Sequence, residues 1–165
     1  MTPQLSRREF VVCLIDLINV ALDRGLHDDA AAVLAGVRVL RPKLAELDIL
    51  EGWVMIKSGR LHDGIQVLRN LESSPTHWSM AKAMMAMCQQ YLRDPDWLIS
   101  ANEVLDGNST PDAVAMVKDL QAKHDKKKSA PGFAEEDAAQ EASPSLPMTF
   151  QSEFQYPTFA FHLRA

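Results

Sequence analysis

The 165-residue chain predicts an all-α protein, a helical repeat of about three helix pairs plus a capping helix, with a disordered C-terminal tail. Three observations carry that prediction. Up to Asp125 apolar residues recur at three- and four-residue steps, the spacing that gathers side chains on one face of a helix. Stop signals fall at regular intervals, with Gly25, Pro42, Gly59, Pro75 and Gly107 each ending such a stretch. The sequence also matches itself at one offset, described below. Its only period-two apolar alternation, Phe159, Phe161 and Leu163, lies at the extreme C-terminus, so no sheet is expected.

Taken in order, the first helix runs from Leu5 to Arg24 and stops at Gly25, which can take the left-handed conformation of a helix C-cap. Asp28 and Asp29 place negative charge at the start of a second helix, which reaches Leu40 and ends before Pro42. A third runs from about Leu44 to Gly59. A fourth begins near His62 and Asp63 and ends before Pro75, and a fifth spans Thr76 to Leu92. Asp94-Pro95-Asp96 starts a sixth ending at Gly107, and Thr110-Pro111-Asp112 opens a seventh that closes in Lys126-Lys127-Lys128. The helical domain is accordingly 5–125. Residues 126–165 carry four prolines and an acidic patch (Glu135, Glu136, Asp137, Glu141) without stable periodicity, which reads as a disordered tail.

At an offset of 34 residues Gly25 falls on Gly59, Asp29 on Asp63, Ala30 on Gly64, Val33 on Val67, Leu34 on Leu68 and Val37 on Leu71. A third unit fits once about three residues are inserted at Asp94-Pro95-Asp96, after which Ala101, Val104 and Leu105 return to register. This is the period of tetratricopeptide repeats, helix pairs that cross closely at a small residue. Leu14, Leu17, Ile18 and Ala21 supply the apolar positions of the first unit, and Ala30, Gly64 and Ala101 the small ones.

The stretches Leu40-Arg41-Pro42-Lys43-Leu44-Ala45-Glu46-Leu47-Asp48, Gly52-Trp53-Val54-Met55-Ile56-Lys57-Ser58-Gly59 and Asp94-Pro95-Asp96-Trp97 resemble the Hrp-type accessory proteins of bacterial type III secretion, the HrpB/HrpK-like family. The resemblance covers about residues 5 to 120. It implies a small tetratricopeptide-like protein, related in architecture to chaperones of needle and pilus subunits, with a secretion-apparatus protein as its partner.

Several chemistries find no support. A net charge of −5 offers no general attraction for nucleic acid, and no apolar run is long enough for a transmembrane segment. Phosphate-binding loops, nucleophile elbows and zinc-protease signatures are missing, so no catalytic residue, no cofactor and no metal is expected. Cys13 and Cys88 lie among Val, Leu and Met and are expected to pack inside. His27, His62, His77, His124 and His162 are scattered and read as surface or cap residues. Glu46, Asp48 and Glu51 could serve as the acid pair of a muramidase, but stacked helix pairs of this size rarely form the cleft that a glycosidase needs. Ser6-Arg7-Arg8-Glu9-Phe10 has the outline of a twin-arginine export signal, yet Asp16 and Asn19 interrupt the apolar stretch behind it. A cytoplasmic location is expected, with the periplasm as the alternative.

What remains is surface. In a tetratricopeptide array the first helix of each pair lines a groove, and the repeat predicts its rows: Asn19, Trp53 and Met87; Ile15, Ile49 and Ala83; Leu22, Ile56 and Gln90; Val12, Glu46 and Met80, with Tyr91 beside the last unit. An apolar groove of this kind would hold an amphipathic helix. The expected function is that of a non-enzymatic adaptor or chaperone-like factor, holding a needle, pilus or inner-rod subunit through Ile15, Asn19, Leu22, Ile49, Trp53, Ile56, Met80, Ala83, Met87 and Tyr91. The alternative is a periplasmic factor that binds cell-wall polymer or self-associates as a homo-oligomer. Phe133, Phe150, Phe154, Phe159, Phe161 and Tyr156 give the tail more aromatics than disordered segments usually carry. Residues 148–163 would then dock in the groove as an internal competitor, or form a linear motif for another protein.

Overall fold

The computed structural model describes residues 8–44 and 46–129. These form seven helices: α1 (Arg8–Asp23), α2 (His27–Leu40), α3 (Glu46–Lys57), α4 (Leu61–Arg69), α5 (Trp78–Tyr91), α6 (Trp97–Asp106) and α7 (Pro111–Ser129). Each expected helix is present, and no strand occurs among the described residues. Two ends differ from expectation. α4 stops at Arg69, because the N–H groups of Asn70, Leu71 and Glu72 turn to the carbonyls three residues back, which tightens the chain into successive turns well before Pro75. α7 closes at the lysine run as expected, ending at Ser129, so the helical part runs four residues past the expected domain boundary at 125. The export-signal outline at Ser6-Arg7 and the tail from 130 onward lie outside the described residues.

The 34-residue period is written in backbone geometry. Gly25 and Gly59 take φ of 72° and 80°, and the next position in the series, Arg93, takes φ of 57°. At each of the three turns the following residue closes the same bond back to the helix: Leu26 N–H to Ala21 O at 2.8 Å, Arg60 N–H to Met55 O at 2.9 Å, and Asp94 N–H to Gln89 O at 2.9 Å. These are successive Schellman C-caps, which satisfy carbonyls that a helix end otherwise leaves unpaired. The third turn then lengthens, because the Asp94 carboxylate accepts the Asp96 N–H at 3.0 Å and holds Asp94-Pro95-Asp96 as a bend before α6 begins. That bend contains the three extra residues of the third unit.

Packing follows the pairs. α1 lies on α2, α3 on α4 and α5 on α6, the pairs join through α2 with α3 and α4 with α5, and α7 closes the stack against α5 and α6. α3 and α4 cross most closely where glycines meet. A Cβ on Gly52 would stand 2.8 Å from Leu68 Cδ2, and one on Gly64 would stand 3.2 Å from Ile56 Cγ1. Leu68 and Ile56 are fully buried, so neither has room to give way. α5 is enclosed by α3, α4, α6 and α7, and every residue from Ser79 to Cys88 except Lys82 is buried.

Candidate functional site

The expected groove is not open in this structure. Trp53 is 2% exposed and Met87 0%, and Ile15, Leu22, Ile49, Ile56, Met80 and Ala83 are buried with them in one continuous core. Only Asn19 and Tyr91 of the ten positions are partly exposed. The correction has a physical cause. α1 packs on α2, α3 packs on α2, α4 and α5, and α5 packs on α3, α4, α6 and α7, so the side chains that would line a groove fill the interior. Lys57, one turn after Trp53, is buried too, and its ammonium stands 5.2 Å from the Trp53 ring centroid. Burial lowers the Lys57 pKa, and the negative charge of Asp23 partly opposes that shift.

The two cysteines divide. Cys88 is buried, which raises its thiol pKa to about 12, whereas Cys13 is exposed on α1, contrary to expectation. Leu17, assigned to the core of the first unit by the repeat, is also exposed, at 49%. Phe10 and Val20 lie on the same side of α1, at 37% and 45%. Phe10, Cys13, Leu17 and Val20 therefore form an uncovered stripe directly opposite the buried stripe of Val11, Ile15, Ile18 and Leu22. Leu26, at the turn that ends α1, is exposed as well. The sequence contained the signal in the three-four-three spacing of residues 10, 13, 17 and 20. It was hidden because α1 is apolar on two faces and the repeat register accounts for only one of them.

The carboxylates Asp48 and Glu51 do not form a free acid pair. Arg38 of α2 donates from Nη2 to Asp48 Oδ1 at 2.9 Å and also to Glu51 Oε2, tying the first helix pair to the second. Beside this clamp a cleft of about 370 Å³ lies between α2, α3 and the start of α4, with Leu34, Val54 and Met55 among its apolar residues and His27, Arg60 and Ser58 among its polar ones. Arg60 is engaged by Asp63 at 2.7 Å. His27 presents a buried Nδ1 without a hydrogen-bond partner, while His62 is exposed and the His124 ring stacks at a tilt 5.1 Å from Trp97. Among the described residues no group of His, Cys, Asp and Glu is arranged to hold a metal ion, and no helix is long and apolar enough to cross a membrane.

The structure thus brings together a repeat scaffold whose ion pairs join its helices and whose first helix has an uncovered apolar face. Neither the curated proteins nor the solved structures give a match to this chain. The family model for bacterial type III secretion protein (HrpB1_HrpK) does match, over residues 1–126, and the chain belongs to that family.

Proposed function

We propose that the protein is a non-enzymatic, cytoplasmic binding factor that holds a needle, pilus or inner-rod subunit of the type III secretion apparatus and keeps it from polymerising early. The observation that carries this reading is the apolar stripe of α1, four residues in register left uncovered while the apolar positions expected to line the groove are buried. Subunits that assemble into filaments present apolar helix faces to one another, and an accessory protein with a matching face can occupy one of them until assembly. A catalytic role has no comparable support, since Asp48 and Glu51 are both held by Arg38.

Co-expression tests the reading. A filament-forming subunit of the same apparatus that aggregates when expressed alone should remain soluble and co-purify when this chain is present. A subunit that aggregates equally with and without it removes the holding role. Fractionation of secreting cells tests the compartment, with the chain expected in the cytoplasmic fraction.

A further inference from the structure

The uncovered face of α1 has a register as well as an area. Phe10, Cys13, Leu17 and Val20 follow one another by three, four and three residues, which are the a and d steps of a heptad and not the broader stripe of a helix that lies on a globular core. On one flank of that seam Glu9, Asp16 and Asp23 recur at steps of seven, the position that meets the partner helix beside an a/d seam. All three are exposed. Asp23 is shared with Lys57, which leaves Glu9 and Asp16 as the acidic edge available to a partner. The other flank, Leu14 and Ala21, turns toward the core and carries no charge.

We infer that α1 is one strand of an intermolecular coiled coil, and that its occupant is a helix of another protein with an apolar heptad seam bordered by Lys or Arg. This rests on the binding role proposed above and supplies the chemistry of its partner. The charge pattern argues against a second copy of this chain in antiparallel pairing, because the acidic edge would then face itself, and like charges at those positions oppose association. In parallel pairing the acidic edge would face Leu14 and Ala21, which offer it no counter-charge.

Cys13 supplies the readout, since it lies in the seam and Cys88 is buried with a thiol pKa near 12, so a maleimide added to the full chain at neutral pH labels Cys13 alone. The probes are two synthetic helical peptides of about three heptads with Leu at a and d, one with Lys and one with Glu at e and g. At about ten times its dissociation constant the Lys peptide should slow Cys13 labelling by about tenfold, while the Glu peptide leaves it unchanged. Leu17→Asp, at an exposed position, should abolish protection with the helical circular dichroism intact. The paired change Glu9→Lys and Asp16→Lys should transfer protection to the Glu peptide, and it keeps the test decisive if Leu17→Asp disturbs folding. Equal protection by both peptides, or by neither, overturns the inference. So does a Cys13 already protected in the free chain: protection that rises with protein concentration assigns the face to a second copy, and protection independent of concentration assigns it to the chain's own residues 148–163. Failure of the peptides alongside a soluble co-expressed subunit would place the holding role on another face, whereas failure of both would remove the role itself.

Discussion

α1 and α5 are the two strongly apolar first helices at the ends of the repeat series, and they meet opposite fates. α5, with Met80, Met84, Met85 and Met87 along it, is enclosed by four other helices and exposes almost nothing between Ser79 and Cys88. α1 packs chiefly on α2 and leaves Phe10, Cys13, Leu17 and Val20 uncovered. Position in the stack, and not the hydrophobicity of either helix, decides which apolar face is filled. Unbranched Met suits the central helix because it adapts to the irregular gaps left by several neighbours at once. Among the described residues no helix covers the outer face of α1, and repeat arrays usually give an outermost face a polar cap. Its apolar character here is the feature that needs an explanation outside the fold.

The largest test of that contrast is truncation at equivalent chemistry. Trp53→Ala should destabilise by about 3–5 kcal/mol and Met87→Ala by about 2–5 kcal/mol, since each leaves a cavity in a core that cannot collapse fully. Leu17→Ala on α1 should stay within about 0.5 kcal/mol of the parent in urea unfolding. A Leu17 variant as costly as Met87→Ala would mean that the outer face of α1 is covered within the chain.

A smaller effect tests the crossing that joins the second pair. Gly64→Leu must place its side chain where a single Cβ already stands 3.2 Å from Ile56, so it should cost about 1–3 kcal/mol by overpacking. Gly36 on the outside of α2 has no such neighbour. The thermal midpoint of Gly36→Ala should not fall, because Ala is the better helix former. An unchanged midpoint for Gly64→Leu would break the repeat register.

The architecture was legible because its signals are local. Gly25 and Gly59 mark turns whose φ values are positive, and Gly52 and Gly64 mark the close crossing of α3 and α4. Which apolar rows stay exposed was not legible, because rows such as Ile15, Ile49 and Ala83 carry the same periodicity whether they line a groove or fill a core. The way each helix pair closes on the next settles that question, and a repeat offset does not encode it. Arg38, between Asp48 and Glu51, escaped notice for a related reason: its partners lie ten and thirteen residues away on another helix. Arg93 was missed because a left-handed turn is normally announced by glycine.

That third turn gives a prediction with opposite signs at equivalent positions. Gly59→Ala puts a Cβ on a residue at φ of 80° and should lose about 1 kcal/mol. Arg93→Gly relieves the same strain at φ of 57°, and the gain is partly offset by the extra freedom of glycine in the unfolded chain, which leaves about 0.5–1 kcal/mol of added stability. Loss of stability in Arg93→Gly would show that the arginine side chain contributes more there than its backbone costs.

The smallest effect concerns two lysines, one beside each of the contrasted helices. Burial lowers the Lys57 pKa, and the negative charge of Asp23, at the end of α1, opposes that shift. Lys82 is the one charged residue of α5. Burial pushes its pKa down, but hydrogen bonds and charge from Glu103, at 2.9 Å, and Glu72, at 3.2 Å, more than offset this and leave it raised. An unfolded lysine titrates near pH ~10.4. Between the folded pKa of Lys57 and that value the unfolded chain holds more protons, so the cost of its buried charge shrinks as pH rises. Lys82 has the reverse sign: its contribution is full below the unfolded pKa and fades only as pH climbs through its raised folded value. Lys57→Met retains the apolar stem, so its stability relative to the parent should be most favourable near neutrality and should decline as pH approaches ~10.4. The penalty of Lys82→Met should stay level over the same range and diminish only above it. Urea titrations of the three proteins from neutral to alkaline pH measure both slopes. Parallel slopes for the two variants would mean that the ammonium of Lys57 reaches water.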